Sequence, residues 1–560
     1  MADVPLLPGN SATRPEAGRD GVEQAVLGTM LVGILLFGLG LYALAVWFDW
    51  LPWLRGWRQY PEGWTWRTYP VPPMERFEPV VLAVIGIWSA VLLAELGHSA
   101  PWQHNRSTGN GVVVALYLVV MIVLGYALQM GLLGLKAANA QQLLVERETN
   151  RVFSGYFNLA ASTNDASTFF SRYPAVFDTK ICPHCHDHPP GPGLYYWLNI
   201  RAAELLPADW RNTAANWTWD LLGTETSMAQ LRPSLTDAQI LGALSGGTLL
   251  LLLSAAVVVP LFGLARLLGP PGSEFRLAAL GLALPGLMLM APEFDQLLAT
   301  IAAAAVLFGL RGLLARDPAV AGLWGLAAGI AVALGLFFSW GLAALLVVIG
   351  CLGAAAWFFS RSVLVPQESE RPRLAAVELL PWGGGIVAGV IVPLAALQFG
   401  ARLDLAYVFQ YNLRNAALAE ANRPYDVWLL YGPLDFVQFL GLPLAVATLF
   451  ALVPKPWRGR LRGPGREDLI WHEHGAERPM PWYAGLNVYA VALILLLLIL
   501  DLAGRSKAEQ GRLFIFLMPL ALASFYLWTG RRRPRSSVIT LLFFTQMLVC
   551  IVIGARWFVP

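Results

Sequence analysis

The sequence predicts an all-α, polytopic integral membrane protein with about thirteen transmembrane helices. Composition is the first reason: of 560 residues, 57% are hydrophobic and only 13% charged, against about 25% charge in a soluble protein. The second is a mean hydropathy of +0.56. The third is that apolar runs of spanning length, ~17–25 residues, recur along most of the chain.

In chain order the spans read Ala25–Phe48, Val80–Leu96, Gly111–Leu135, Ile240–Leu268, Leu277–Pro292, Phe294–Leu310, Val320–Phe338, Gly341–Phe359, Trp382–Phe399, Phe436–Val453, Leu486–Leu502, Leu513–Trp528 and Val538–Ile553. The fifth and sixth are short, and Pro292 falls between them, so they also read as one broken hairpin. The first run is too long for the apolar part of a cleavable signal, so it is expected to stay as a helix. Residues 1–24 then form a cytoplasmic tail. Residues 25–110 form a two-helix extension with a Trp-rich outer loop, and residues 111–560 form the main module with a large outer loop over 136–239. Abundant Ala, Gly and Leu, with Arg preferred to Lys, point to a GC-rich prokaryotic genome.

Charge orients the spans. The densest basic clusters are Arg361–Arg373, Lys455–Arg466 and Arg531–Arg535, and all three fall on one side when the N-terminus is inside, as cytoplasmic loops require. This expectation gives a multi-pass protein of the inner (cytoplasmic) membrane with its large loop periplasmic or extracellular. Arg55, Arg58, Arg67 and Arg76 in the first outer loop run against the rule. The tryptophans around them (Trp50, Trp53, Trp57, Trp64, Trp66) suggest a loop lying at headgroup depth. No basic stripe interleaves with aromatics outside the spans, so no nucleic-acid partner is expected.

A loop of about a hundred residues is more often functional than a tether. Within it lies "CPHCHDHPPGPGLYYW". Cys182, Cys185 and His186 spell the haem-attachment pattern C-x-x-C-H, and His184, His186 and His188 add zinc-type donors. The prolines that follow at once prevent a haem-packing helix, which favours a small Cys182–Cys185 disulfide or two free thiols. Beyond them, Leu194, Trp197, Leu198, Ala202 and Leu205 recur at helical spacing. This reads as a rigid corner feeding an amphipathic helix on the membrane surface.

These residues carry a resemblance. "HPPGPGLYYWLNIRAAELLP" resembles the "PPL-x-YW" corner in the first outer loop of C-type (GT-C) membrane glycosyltransferases, closest to bacterial members with an HPPGP corner. "NDASTFFSRYPAVF", "APEFDQLLATIAAAAVLFGLRGLL", "RPYDVWLLYGPLDFVQFLGLPLA" and "LDLAGRSKAEQGRLFIFLMP" are similar to further segments of that family, in family order. The resemblance covers most of the chain after about residue 111. It implies a cell-envelope transferase that moves a sugar from a polyprenyl-phosphate donor to a lipid, polysaccharide or protein acceptor. No cofactor is certain, and a divalent cation is possible. One departure stands: after the span that opens the large loop the family carries an acidic residue, whereas this chain reads "VERETNRVFSGYFNLAASTND", with Ser154-Gly155-Tyr156 at the expected place. Glu146, Glu148 and Asp165 are the carboxylates available there.

Such a transfer needs a carboxylate to take the acceptor proton and a guanidinium for the departing phosphate. The expected catalytic residues are Asp165, Glu148 and Asp187. The expected substrate-binding residues are His188, Asp295, Arg423, Tyr425, Glu509 and Arg512. Simpler readings sit beside them: Asp295 as a helix cap, Arg512 as the structural partner of Glu509 three residues back, and Asp187 and His188 as ordering the loop. A non-catalytic scaffold or accessory subunit is the alternative function. A transporter fits less well, because charge clusters outside the spans rather than at mid-membrane. A haem-bearing electron-transfer subunit is the last alternative.

Overall fold

The computed structural model describes residues 16–56, 65–99, 107–151, 155–179, 181–223, 231–270, 272–361, 379–421, 423–452, 488–504, 507, 509–530 and 536–558. The basic stretches 362–373, 455–466 and 531–535, together with Trp57, Trp64 and Ser154, lie outside them.

Among the described residues the regular structure is helical, apart from one two-residue strand pair and an isolated bridge between Gly56 and Thr65. Helices α1 (Glu16–Trp47), α2 (Glu78–Ser99) and α3 (Ser107–Gly134) come first. The large loop follows, with α4 (Ala140–Thr149), α5 (Tyr156–Ala161), α6 (Ala166–Arg172), α7 (Gly191–Glu204) and α8 (Ala208–Leu222). Next are α9 (Asp237–Ala255), α10 (Val258–Leu268), α11 (Glu274–Ala279), α12 (Pro285–Leu289), α13 (Phe294–Leu314), α14 (Pro318–Phe338), α15 (Ala344–Arg361) and α16 (Leu380–Ala395). The chain ends with α17 (Leu405–Glu420), α18 (Tyr425–Leu440), α19 (Leu442–Leu452), α20 (Val488–Leu502), α21 (Gln510–Leu513), α22 (Met518–Gly530) and α23 (Ser536–Arg556).

Among the described residues, eight helices are long and apolar enough to cross a membrane. The pair α18–α19, bent by 105°, raises that to nine, and three shorter apolar helices stand beside them. Leu277–Pro292, expected as a span, is instead a chain of short pieces: α11, a 3₁₀ turn over Leu280–Ala283, and α12. The physical reason is local. Leu284 is extended ahead of Pro285, whose ring cannot continue a helix. Irregular backbone at this depth is tolerated only when enclosed by protein, and almost every residue from Phe275 to Ala291 is indeed buried.

Small residues bring helices together where lipid supplies no hydrophobic drive. α14 and α16 meet through Gly325, Gly329, Gly385 and Gly389, and a Cβ at any of these would fall on the facing backbone. A buried polar knot ties α3, α9 and α13. Gln129 Oε1 accepts from Ser254 Oγ (2.9 Å) and Gln296 Nε2 (3.1 Å), while its own amide donates to Leu251 O (3.0 Å). The knot fixes the first turn of α13 and the acids flanking it.

The N-terminal extension is packed into this bundle. β1 (Arg67–Thr68) pairs antiparallel with β2 (Trp557–Phe558) at the chain's end. Of the loop tryptophans, Trp50 and Trp53 are exposed, as an interfacial loop requires. Trp66 is buried and donates to Asp435 Oδ1 at 2.8 Å, so the headgroup-depth expectation fails for that ring.

Candidate functional site

Charged side chains converge where the large loop meets the N-terminal end of α13 and the short helix α21. Arg512 on α21 is the hub. Its Nη2 lies 2.9 Å from Glu509 Oε2 and its Nε lies 3.4 Å from Asp295 Oδ2. The distances are those of ion pairs, yet Arg512 Nε and Glu509 Oε2 make no aligned hydrogen bond. The guanidinium is therefore held by charge while part of its donor fork stays uncommitted. Its carboxylate partners hold its pKa above the ordinary value against the opposing effect of burial.

Glu293 sits at the entry to α13 in extended backbone, and its side chain does not cap that helix. It keeps some solvent contact, although protein encloses it on most sides. Burial pushes its carboxyl from 4.5 up to about 7, with Asp295 and Glu509 pushing the same way and Arg512 and Arg147 opposing. A carboxyl of this kind exchanges its proton near neutral pH, which suits a general acid–base.

α4 closes the site from the loop side. Asn139 caps it by accepting from Gln142 N at 3.0 Å. Its last turn buries Arg147 and Glu148. Arg147 Nη1 donates to Ala291 O at 2.7 Å, clamping the chain just ahead of Glu293. Glu148 is held well above the carboxylate range by burial and then by Glu293's charge, and its Oε1 has no hydrogen-bond partner. The charge of Glu293 thus discourages ionisation of Glu148, so the two carboxyls are not readily charged together.

An aromatic wall completes the surround. The Tyr156 ring stands edge-on to Phe294 (5.7 Å) and to His188 (6.0 Å). His184 is kept neutral, its pKa pushed down to about 3 by burial, then by Arg512 and His188. Cys182 and Cys185 form a disulfide, so both sulfurs are joined and neither is a thiolate. Asn412 on α17 donates to Cys185 O (3.1 Å) and His186 O (2.8 Å), and Tyr173 donates to His188 O (2.9 Å). The proline corner after them packs so closely that a Cβ at Gly191 would fall on Phe337 O. From it α7 runs along α9, with Tyr195 donating to Gly246 O at 2.6 Å. Leu198, Leu205 and, on α8, Trp210 and Trp217 are left exposed.

Of the expected residues, the structure gathers Glu148, Asp295, Glu509 and Arg512, with His188 alongside through Tyr156. It places four elsewhere. Asp165 is an exposed helix cap that accepts from Thr168 N at 2.7 Å and Ser167 Oγ at 2.8 Å. Those bonds pull its pKa down to about 2, so it is a poor proton acceptor. Asp187 accepts from Asn415 at 2.7 Å and ties the proline corner to α17. Arg423 donates to Lys507 O, and Tyr425 donates to Leu502 O at 2.9 Å; each is committed to a backbone carbonyl. Glu146 accepts from Gln142 one turn back at 3.0 Å.

The sequence reading missed Glu293 and Arg147, read His184 only as a zinc-type donor, and gave Tyr156 no role. A signal was present in "APEFD": two acids two residues apart, between a proline and the start of a spanning helix. Among the described residues, no group of three or more His, Cys, Asp or Glu side chains is arranged to hold a metal ion. No protein-family model, curated protein or solved structure matches the chain.

Proposed function

We propose that this multi-pass membrane protein is a glycosyltransferase that moves a sugar from a polyprenyl phosphate to an acceptor hydroxyl at the outer face of the inner membrane. The observation that carries the proposal is that Arg512, ion-paired with Asp295 and Glu509, acts electrostatically on Glu293, a carboxyl that burial pushes up to about 7 at the mouth of a spanning helix. Thirteen crossings belong to the same reading. The eight long helices, the bent pair, the three shorter apolar helices and the buried broken segment from Glu274 to Pro292 would make them up.

In the proposed reaction the acceptor oxygen attacks the anomeric carbon and Glu293 takes its proton. The bond from that carbon to the phosphate oxygen breaks, and its electron pair leaves with the polyprenyl phosphate. Arg512 offers paired N–H donors to that oxygen, which an ammonium cannot do in the same geometry. Arrival of a phosphate also favours protonation of Glu293, since a nearby negative charge raises a carboxyl's pKa. Substrate binding thereby makes ionised Glu293 a stronger base while lowering the fraction ionised near neutral pH, so transfer should be faster on the alkaline side of neutrality. Asp295 and Glu509 hold the guanidinium in place.

The test is release of polyprenyl phosphate from labelled lipid-linked hexose and pentose donors by purified protein, with and without Mg²⁺. Arg512→Ala should slow release by roughly thirty- to thousand-fold, about 2–4 kcal/mol of transition-state stabilisation. Arg512→Lys should fall in between. Release by Arg512→Ala at the wild-type rate would remove Arg512 from the reaction, and no release by the wild type from any donor would remove the proposal.

A further inference from the structure

α7, the helix expected on the membrane surface, stands upright instead: it runs antiparallel along the spanning helix α9, with Tyr196 against Gly246 and Ile200 against Gly242. α17 has the placement that α7 lacks. The span that precedes it, Leu380–Gly400, leads into it through residues 401–404 alone. Arg402 takes a left-handed backbone conformation (φ 57°) and turns the chain. Gln398, still within the span, accepts from Leu405 N at 2.9 Å, so α17 starts where the span leaves the membrane. Its middle is held at the same height. Trp340 lies in the turn between the spanning helices α14 and α15. The chain crosses by α15 and returns by α16, so this turn and Gly400 are on the same side. The Trp340 indole donates to Asn412 Oδ1 at 2.9 Å and stands edge-on to Phe409 at 5.2 Å. Indole rings favour headgroup depth.

We propose that α17 lies flat in the membrane interface on the side of the large loop, with Phe409 and Leu413 seated in lipid. At ~100° per residue its side chains fall on three sides. Val408, Asn412 and Asn415 turn to the protein, and the first two are buried. Ala406, Phe409, Leu413 and Ala417 form an apolar side, on which Phe409 is 43% and Leu413 49% exposed. Tyr407, Gln410 and Arg414 form the third side, which is polar in character and largely exposed. One side each for protein, hydrocarbon and water, at the depth where a span ends, is the pattern of an interfacial helix. The apolar strip is one helix wide, too narrow for the ~1,000 Å² of a specific protein interface, whereas lipid asks only for depth. The protein side of α17 holds the disulfide segment. Asn412 donates to Cys185 O and His186 O, Asn415 donates to Asp187, and the Tyr411 ring stacks on Phe177 at 4.0 Å. Lipid under α17 therefore supports the segment that carries His184 and His188.

The lipid seat stands apart from the glycosyltransferase reading, and its test uses no sugar. Ala406→Cys and Leu413→Cys report on the apolar side, and Gln410→Cys and Arg414→Cys on the polar side. All four positions are exposed, so the fold does not depend on them. Each is made in full-length protein carrying Cys351→Ala and Cys550→Ala with the disulfide intact. A nitroxide is attached, and the protein is placed in nanodiscs of phosphatidylethanolamine and phosphatidylglycerol. Collision with dissolved oxygen, which partitions into lipid, is compared with collision with a water-soluble nickel chelate. For a face lying ~5–10 Å into the headgroup–acyl boundary, the oxygen-to-nickel ratio at 406 and 413 should exceed that at 410 and 414 by about threefold or more. Equal ratios on the two sides would show that the strip faces water and overturn the proposal. Low collision with both reagents at 413 would show that a partner protein or a second copy covers the strip, and would overturn it equally.

Discussion

Replacing Glu293 by Gln should make the protein more stable and less active, and the two effects should share one pH dependence. The carboxyl rises from 4.5 to about 7 on folding, chiefly because it is enclosed. Between those values the folded chain binds more protons than the unfolded one. Its contribution to stability is therefore fully present below about pH 4.5 and is lost as pH rises through about 7. At ~1.4 kcal/mol per pKa unit, the rise from 4.5 to about 7 makes the loss by pH 8 at most about 3.5 kcal/mol, less where solvent reaches the group. Gln keeps the shape and never ionises, so it escapes that loss. Glu293→Gln should melt above wild type at pH 8 and level with it at pH 5. Turnover moves the other way. A general base is worth ~10²–10⁴ in rate, and wild-type turnover should fall about tenfold per unit below pH 7 as the carboxyl protonates. Release of polyprenyl phosphate from pH 5 to 9, with melting followed in the same buffers, measures both. A variant that melts lower at pH 8, or that keeps the wild-type rate and the same acid limb, would refute the role given to Glu293.

The remaining expectations concern parts around the site. Gly389→Val should lower the yield of folded protein and its melting temperature, because the new side chain meets the backbone of α14; overpacking of this kind costs ~1–3 kcal/mol or more. Cys182→Ser with Cys185→Ser should leave an inserted protein with no visible absorbance lost. Its stability should drop by about 2 kcal/mol, the loop-entropy value for so short a ring, as read by thermal unfolding with and without reductant. Asp165→Asn should leave turnover within about twofold of wild type, since an amide oxygen caps a helix as well as a carboxylate does; a hundredfold loss in the release assay would return Asp165 to the reaction.

Much of this organisation was legible in the sequence because it is one-dimensional. Apolar runs mark helices wherever the solvent is lipid. The proline corner at 189–192 announces itself because proline restricts both its own residue and the one before. The Glu509–Arg512 contact follows from three-residue spacing, and the structure keeps it at 2.9 Å. Other features depend on distant partners. Glu293 is unusual only because of burial and of charges brought from α4 and α21, and no local pattern carries that information. Asp165 misled for the opposite reason. Its local signal, an acid ahead of "ASTFF", is an N-cap signature, and the reading gave weight to its charge instead. Among the described residues, eight or nine of the thirteen expected spans are long helices; three others are shorter apolar helices, and Pro285 breaks one apolar run into short pieces that only a buried environment tolerates.

Residues 25–110 read as an extension of the main module, and one carboxyl group shows why packing alone describes them poorly. Asp435 accepts Trp66 Nε1 on one oxygen and Gly511 N on the other, both at 2.8 Å. The first bond fixes the N-terminal loop. The second fixes α21 one residue before Arg512. Gln438, one turn along α18, repeats the connection by donating to Leu54 O at 3.0 Å and accepting from Tyr42 at 3.2 Å. Buried polar groups are costly to leave without partners, so displacing the loop would strand Asp435 and Gln438 together and release the turn that aims the guanidinium. The position of Arg512 therefore depends on side chains nearly 450 residues away in sequence, and the N-terminal loop is part of the structure that positions the site.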